Sequence, residues 1–430
     1  MRNIYLSFLG LGKKQPDGSY AYDRTVYELN SQRSQMTAFV QVAELEIIGA
    51  ELFDEVIIVD TEKSHHANYA VLKKQLRDLG AKSIHAVTIE EEMSPQGQWR
   101  WFEKILCCIE SEDRLTVDLT HGYRAAPIIF SAAINFLQKA RNVRLEAVYY
   151  GVFEKVSDLG HAPIIDMKEF YAINEWAEAV SRLVEDADAQ KLALVAENSP
   201  GFQFSEINNG KILHVLRQLT DTIKNVDVNN VAGAAGTAIG LIRQKEESAS
   251  KPVKMLLGLV IDKFVALTTQ TPQGGKYDKA YFRIQLELIR LLLDHHLFMQ
   301  AYTVMREFIA SLCMIGFEKE GMSNKKRKKR RRIHAEVFVN MVQHDEDEWS
   351  FPGKKDILER IKPFYQELKK HGIERQIRTI ARDLADYRNG FDHAWICKAG
   401  AKEDIEEKGF HFLKNLKKIL FDLEEKGLLL

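Results

Sequence analysis

Towards the C-terminus, in a stretch whose apolar spacing is helical, the chain reads Tyr387-Arg388-Asn389-Gly390-Phe391-Asp392-His393. Arginine stays charged at any working pH and forks onto phosphate oxygens. Histidine titrates near neutrality and can give or take a proton. RNA carries its own nucleophile, the 2′-hydroxyl. A cation, an amide and an imidazole are therefore the smallest set that could cleave it without a metal. Spacing limits how they meet. At about 100° per residue an ideal helix puts Asn389 and His393 about 40° apart, but Arg388 about 140° from His393. Three arrangements reconcile this: a backbone break at Gly390, a poor helix former; an arginine that wraps around; or a site shared by two copies of the chain, each Arg388 serving its partner's His393.

A second group of residues suits anion binding. Val117-Asp118-Leu119-Thr120-His121-Gly122-Tyr123-Arg124-Ala125-Ala126-Pro127 takes a strand through a turn into a helix start. Free N–H groups at such a start favour anions, and Arg124 adds a charged donor. Asp118 and Thr120 also have the chemistry to cap the turn. Earlier, Ser7-Phe8-Leu9-Gly10-Leu11-Gly12-Lys13-Lys14 offers two glycines for close backbone approach, followed by lysines. It lacks both the third glycine of a dinucleotide fingerprint and the lysine–serine pair of a phosphate loop. Asp60-Thr61 follows another strand-like run.

The elements that must carry these residues divide the chain. Five short apolar runs, at 3–8, 55–59, 83–89, 115–119 and 145–150, read as buried strands. Helical patterns at 35–48, 65–79, 99–110 and 124–140 alternate with them. Repeated strand–helix–strand units predict a mostly parallel, Rossmann-like α/β sheet, with ligands beyond the carboxyl ends of its strands. The loops at Gly10–Lys14, Asp60–Thr61 and Asp118–Arg124 would share that edge. From about residue 170 the pattern becomes all-α, with apolar residues three and four apart. Pro272, Gly274 and Gly275 mark a further break. The predicted organisation is a sensor domain over 1–170, a helical connector over 171–275 and a helical domain over 276–430.

Composition narrows the class little. The chain has 430 residues, 45% hydrophobic and 28% charged, with a net charge of −1. Nucleic-acid contact would therefore come from local patches. Neither a membrane span nor a signal peptide is expected. Four cysteines without zinc or disulfide-scaffold spacing suit a reducing cytoplasm.

Together, the Asp-Leu-Thr-His-Gly-Tyr-Arg segment at 118–124, the Ser-Phe-Leu-Gly-Leu-Gly loop at 7–12 and the pattern from Arg388-Asn389 to His393 resemble the CRISPR-associated CARF–HEPN ribonucleases of type III systems. The motifs lie at both ends of the chain in the family's order. The resemblance implies a CARF sensor that binds a cyclic oligoadenylate across a homodimer, tetra- in preference to hexa-adenylate. Its ligand contacts would fall on Gly10, Leu11, Gly12, Thr61, Thr120, His121, Gly122 and Arg124. It implies a C-terminal HEPN endoribonuclease acting on single-stranded RNA in antiviral defence, with Arg388, Asn389 and His393 catalytic and no metal. His393 would be general acid or base in attack of the ribose 2′-oxygen, and Arg388 would neutralise phosphoryl charge. Asn389 would orient either the histidine or the phosphate. Products would carry 2′,3′-cyclic phosphate and 5′-hydroxyl ends. A dimer or higher oligomer is expected, with no membrane partner and no cofactor besides the activator. Thr120, His121 and Arg124 also supply groups for degrading a bound ring.

Other features have plainer readings. Lys325–Arg332 is eight consecutive cations, expected as a solvated or disordered loop able to attract RNA. It also supports a rival reading, a nucleotide-sensing regulator that binds nucleic acid without cutting it. Val231–Gly240, rich in glycine and alanine, reads as close helix–helix packing. His65-His66 and His295-His296 are poorly spaced for chelation and read as solvated or capping. Trp99, Trp101, Tyr149 and Tyr150 read as core and interface.

Overall fold

The computed structural model describes residues 1–91, 94–121, 126–198, 207–268, 277–315, 324–396 and 404–429. It divides into two compact units, Met1–Asn174 and Glu175–Leu430.

The first unit is built on an eight-stranded sheet. Its strands are β1 (Asn3–Phe8), β4 (Tyr27–Leu29), β5 (Gln32–Arg33), β6 (Glu55–Thr61), β7 (Ile84–Ile89), β8 (Arg114–Asp118), β9 (Arg144–Gly151) and β10 (Ala162–Asp166). A separate hairpin pairs β2 (Lys13–Lys14) with β3 (Tyr20–Ala21). The spatial order is β5-β4-β10-β9-β8-β1-β6-β7. β7, β6, β1, β8 and β9 run parallel, and β10 joins β9 antiparallel. The five expected strands are these parallel ones. The side chains of β1, β6 and β8 are buried on both faces because helices cover both, so they read as continuous apolar runs, and the edge strand β7 is only partly buried. The short strands β4 and β5 and the half-exposed β10 lack that signal.

The chain winds outward from β1 to β6 and β7, then crosses back to β8 and β9. The strand order therefore reverses between β1 and β8. In such sheets the crevice at that reversal, beyond the strands' carboxyl ends, is where ligands enter. The register pairs Ser7 with Asp118 and Phe8 with Val59, which places the Gly10, Thr61 and Thr120 loops on one edge.

Among the described residues the second unit is built from helices, with no strand. Helices Lys168–Asp186, Gln190–Asn198, Gly210–Lys224, Val231–Glu246 and Lys251–Phe264 are followed by Lys279–Asp294, Phe298–Leu312, Asn324–Gln343, Lys355–Lys370, Ile373–Asp392 and Ile405–Glu425. The sheet followed by helices is the fold class expected.

Three expectations are changed in whole or in part here. The basic run is not a loop: Lys325–Arg332 forms the first turns of Asn324–Gln343. Its stem is anchored, with Arg331 Nη2 donating to Glu307 Oε2 at 2.8 Å and Ser311 Oγ at 2.9 Å. Val231–Glu246 does pack through small residues, but they are Ala235 and Ala238, and its glycines lie off that face. A Cβ added at Gly233, Gly236 or Gly240 would meet nothing within 4 Å, and the buried face is Val231, Ala235, Ala238, Ile239 and Ile242. His295 is the C-cap of Lys279–Asp294, one of the two roles expected, but it is not solvated. It is buried, with Nδ1 2.5 Å from the carbonyl of Glu185, and burial lowers its pKa. Trp101 is core, whereas Trp99 is exposed and stacks on Phe102.

Candidate functional site

At the sheet edge, the conspicuous polar side chains hold the loops in place. Asp118 is fully buried at the end of β8. Its Oδ2 accepts from Ser7 Oγ at 2.6 Å, tying β8 to β1, and its Oδ1 accepts from the Thr120 N–H at 2.9 Å. The Thr120 hydroxyl donates to the same Oδ1 at 2.5 Å and accepts from the Gly151 N–H at 2.8 Å. Burial nevertheless pushes the Asp118 carboxyl up to about 6. Thr61 is likewise engaged. It is buried and N-caps the following turn in a reciprocal pair with Ser64, whose N–H donates to its hydroxyl at 3.3 Å.

What stays open at this edge is backbone and one ring. Gly10 lies against the backbone of His121, where a Cβ would come within 3.1 Å of that carbonyl. Gly12 has φ +78°, and a Cβ there would overlap Ala21, so the turn into the hairpin needs glycine. Leu11 is half-buried between them. His121 stacks on Tyr22 with ring centroids 4.4 Å apart. Its Nε2 is buried and has no hydrogen-bond partner among the described residues, and burial pushes its pKa down to about 4, so it is neutral at pH 7. Gly122 and Arg124 lie outside the described residues.

Asn68 escaped sequence reasoning. Its Nδ2 donates to the carbonyls of Gly10 and Leu11 at 3.0 and 3.1 Å, fixing that loop from the helix after β6. Gln41 does the same for β1, donating to the Phe8 carbonyl at 2.9 Å. Neither is part of a sequence motif, and only the strand order reveals their proximity.

In the helical unit, Arg388 and Asn389 sit in the last turns of Ile373–Asp392, and His393 is its C-cap. Ile373, Ile377, Ile380, Ala381, Leu384 and Tyr387 are the buried stripe that seats the helix. Tyr387 is pinned by Tyr302 and Phe412 and donates to Asp404 at 2.7 Å. The helix does not break at Gly390, so that first arrangement falls. Instead Gly390 makes room for Trp395: a Cβ would lie 2.3 Å from its ring. The N–H groups of Trp395 and Ala394 donate to the carbonyls of Gly390 (2.8 Å) and Phe391 (3.3 Å). This is a Schellman ending, with Ala394 and Trp395 at φ +47° and +57°. His393 is thus held by the backbone on either side of it.

The three side chains divide. Asn389 and His393 are exposed, and among the described residues their side chains have no hydrogen-bond partner. Arg388 is half-buried and pairs with Asp392 across one turn, Nη2 to Oδ2 at 2.9 Å. With Asn389 it lines a pocket of about 180 Å³ that also receives Arg306 and Gln343. No group of three or more histidine, cysteine and carboxylate side chains among the described residues could hold a metal. No helix among them is long and apolar enough to cross a membrane.

Over 208 residues, 48% of its length, the chain is 19% identical to CRISPR-associated protein MJ1674 of Methanocaldococcus jannaschii. The chain is similar to a CRISPR-associated protein. That is the direction in which the segments at 118–124 and 388–393 point. The match spans 30% of the relative, so the chain corresponds to less than a third of that protein. Enterococcus italicus Csm6 bound to cyclic hexa-2′-fluoro-hexa-dAMP aligns with 99% of this chain and 95% of its own, at 12% identity and a TM-score of 0.48. No protein-family model matches.

Proposed function

We propose that the chain is a CARF–HEPN ribonuclease of type III CRISPR defence: a cyclic oligoadenylate bound at the β1–β8 edge activates metal-independent cleavage of single-stranded RNA at Arg388, Asn389 and His393. The observation that carries the reading is the pairing of a strand-reversal crevice, framed by Asp118, with an uncommitted Asn389–His393 pair on a rigid helix end. In the sensor, ring phosphates would meet backbone N–H groups of the Gly10–Gly12 segment and of the turn after Thr120, with Arg124 adding charge. His121, neutral, would lay the half-buried face of its ring against an adenine. Thr61 and the Thr120 hydroxyl would act by shaping the loops.

In the helical unit His393 would move the 2′-hydroxyl proton and Arg388 would balance phosphoryl charge. Asn389, one turn before His393 on the same exposed face, would orient the phosphate. Arg388 faces its own pocket while His393 faces solvent. This supports the shared arrangement, in which a homodimer places one protomer's arginine beside the other's histidine. The Arg388–Asp392 pair is half-exposed and therefore weak, so an incoming phosphate can displace it. Activation requires the ligand to favour the dimer state in which these groups meet.

The test is RNA cleavage in EDTA with and without cyclic tetra- or hexa-adenylate, followed by analysis of product ends. Ligand-dependent cleavage leaving 2′,3′-cyclic phosphates is expected. Cleavage only with added metal, or 3′-hydroxyl products, would overturn the reading.

A further inference from the structure

The pocket beside Arg388 is walled by three helices, and its contents are unusual for a structural crevice. Phe298–Leu312 contributes Arg306, Asn324–Gln343 contributes Gln343, and Ile373–Asp392 contributes Arg388 and Asn389. Its floor is apolar, from Ile309, Val339 and Leu384, all buried. Each of the two guanidinium groups lining this cavity has one carboxylate partner, Asp392 for Arg388 and Glu307 for Arg306, and keeps further N–H donors that an anion could take. An apolar floor under a polar rim suits a flat ring.

The rim groups are held in place. One Arg306 nitrogen, Nη1, donates to Glu307 Oε1 at 3.0 Å, and Arg331 holds the other oxygen of that carboxylate at 2.8 Å. The remaining Arg306 donors have no partner among the described residues. Gln343 Nε2 donates to the Ala381 carbonyl at 3.1 Å. That bond fixes which way the amide points. Its Oε1 accepts no hydrogen bond among the described residues, and one Nε2 hydrogen is left over.

We propose that this pocket seats one nucleobase of the RNA substrate, with Arg306 on the adjoining phosphate and Gln343 selecting a base whose edge pairs an amino group with a ring nitrogen. An amide that presents an oxygen beside an N–H matches adenine at N6 and N7, the pairing by which glutamine reads adenine. Cytosine offers the same order at N4 and N3. With the base pose set by Arg306 on the adjoining phosphate, guanine O6 and uracil O4 would set oxygen against oxygen, and the anchored amide cannot turn to relieve it. The proposal rests on the RNA-cleaving reading above.

The experiment measures binding of fluorescent single-stranded oligoribonucleotides, differing at one base, to full-length His393→Ala protein, so that cutting does not interfere. Adenine and cytosine oligomers should bind about tenfold more tightly than uracil and guanine ones. Gln343→Met should erase that preference while leaving the melting temperature in place. Arg306→Ala should weaken all four about equally and shallow the salt dependence. Equal affinities, or a preference that survives Gln343→Met, would overturn the proposal. If the Gln343 variant does not fold, a salt slope unchanged by Arg306→Ala overturns it instead. A wild-type chain that binds with this preference yet never cuts RNA would sink the ribonuclease reading alone. One that cuts without the preference would sink only this proposal.

Discussion

The sheet edge and the helix end use polar residues in opposite ways. At the edge, Ser7, Thr61, Asp118 and Thr120 spend their hydrogen bonds on each other and on backbone, so the exposed chemistry is mostly peptide groups. At the helix end, backbone bonds do the holding, through Gly390, Ala394 and Trp395, and Asn389 and His393 are left uncommitted. A binding loop must keep its shape, whereas an acid–base group must keep its lone pairs. The contrast predicts that substitutions at the edge change how much ligand is needed, while substitutions at the helix end change how fast RNA is cut.

The sharpest break in that contrast would come from Arg388→Ala. It should lower the ligand-saturated cleavage rate about 100-fold, the scale of losing a charge-stabilising group in an active site. The ligand concentration for half-activation should stay put in the same rate assay. If the site is shared, mixing Arg388→Ala with His393→Ala protomers should restore part of the rate, since one intact pair reforms across the dimer.

Gly390→Ala comes next. Its methyl group would overlap the Trp395 ring and displace the Schellman ending that positions His393. Cleavage should fall about tenfold with ligand binding intact, read by rate and by ligand-induced thermal shift.

On the other side of the comparison, Asn68→Ala should raise the half-activating ligand concentration about fivefold and spare the maximal rate. It removes the two bonds that fix Gly10 and Leu11, on the scale of one net hydrogen bond. A fall in maximal rate instead would erase the proposed division of labour.

The pH dependence of the first unit should show two opposed groups. His121 has its pKa lowered from 6.5 to about 4, so its contribution to stability is present above pH 6.5 and is lost as pH falls towards 4. Asp118 is raised from 3.8 to about 6, so its contribution is present below 3.8 and is lost as pH rises through 6. His121→Gln should remove only the acid-side loss, seen as a higher melting temperature at pH 5 relative to pH 7. The smallest effect belongs to Ala394→Gly, which relieves a left-handed alanine and should stabilise the helical unit by about 1 kcal/mol in denaturant melts.

The sequence made the doubly covered strands legible, because burial on both faces leaves unbroken apolar runs such as Val56–Val59. It also exposed the angular conflict between Arg388 and His393. It could not reveal Asn68, Gln41, Arg306 or Gln343, which join their sites through strand order and helix packing and carry no local pattern. The basic run misled for a related reason. Like-charge repulsion argues for a loop, but the apolar stripe after Arg332 and the Arg331–Glu307 pair seat the helix. Gly390 misled most usefully. A poor helix former suggested a break, yet its missing side chain is what Trp395 occupies.

The most direct test of the whole account is the rate at which His393→Ala cleaves single-stranded RNA in EDTA with saturating cyclic oligoadenylate. A loss of at least about 100-fold against wild type, with the ligand still raising the melting temperature, is the predicted result. Cleavage at the wild-type rate would contradict it.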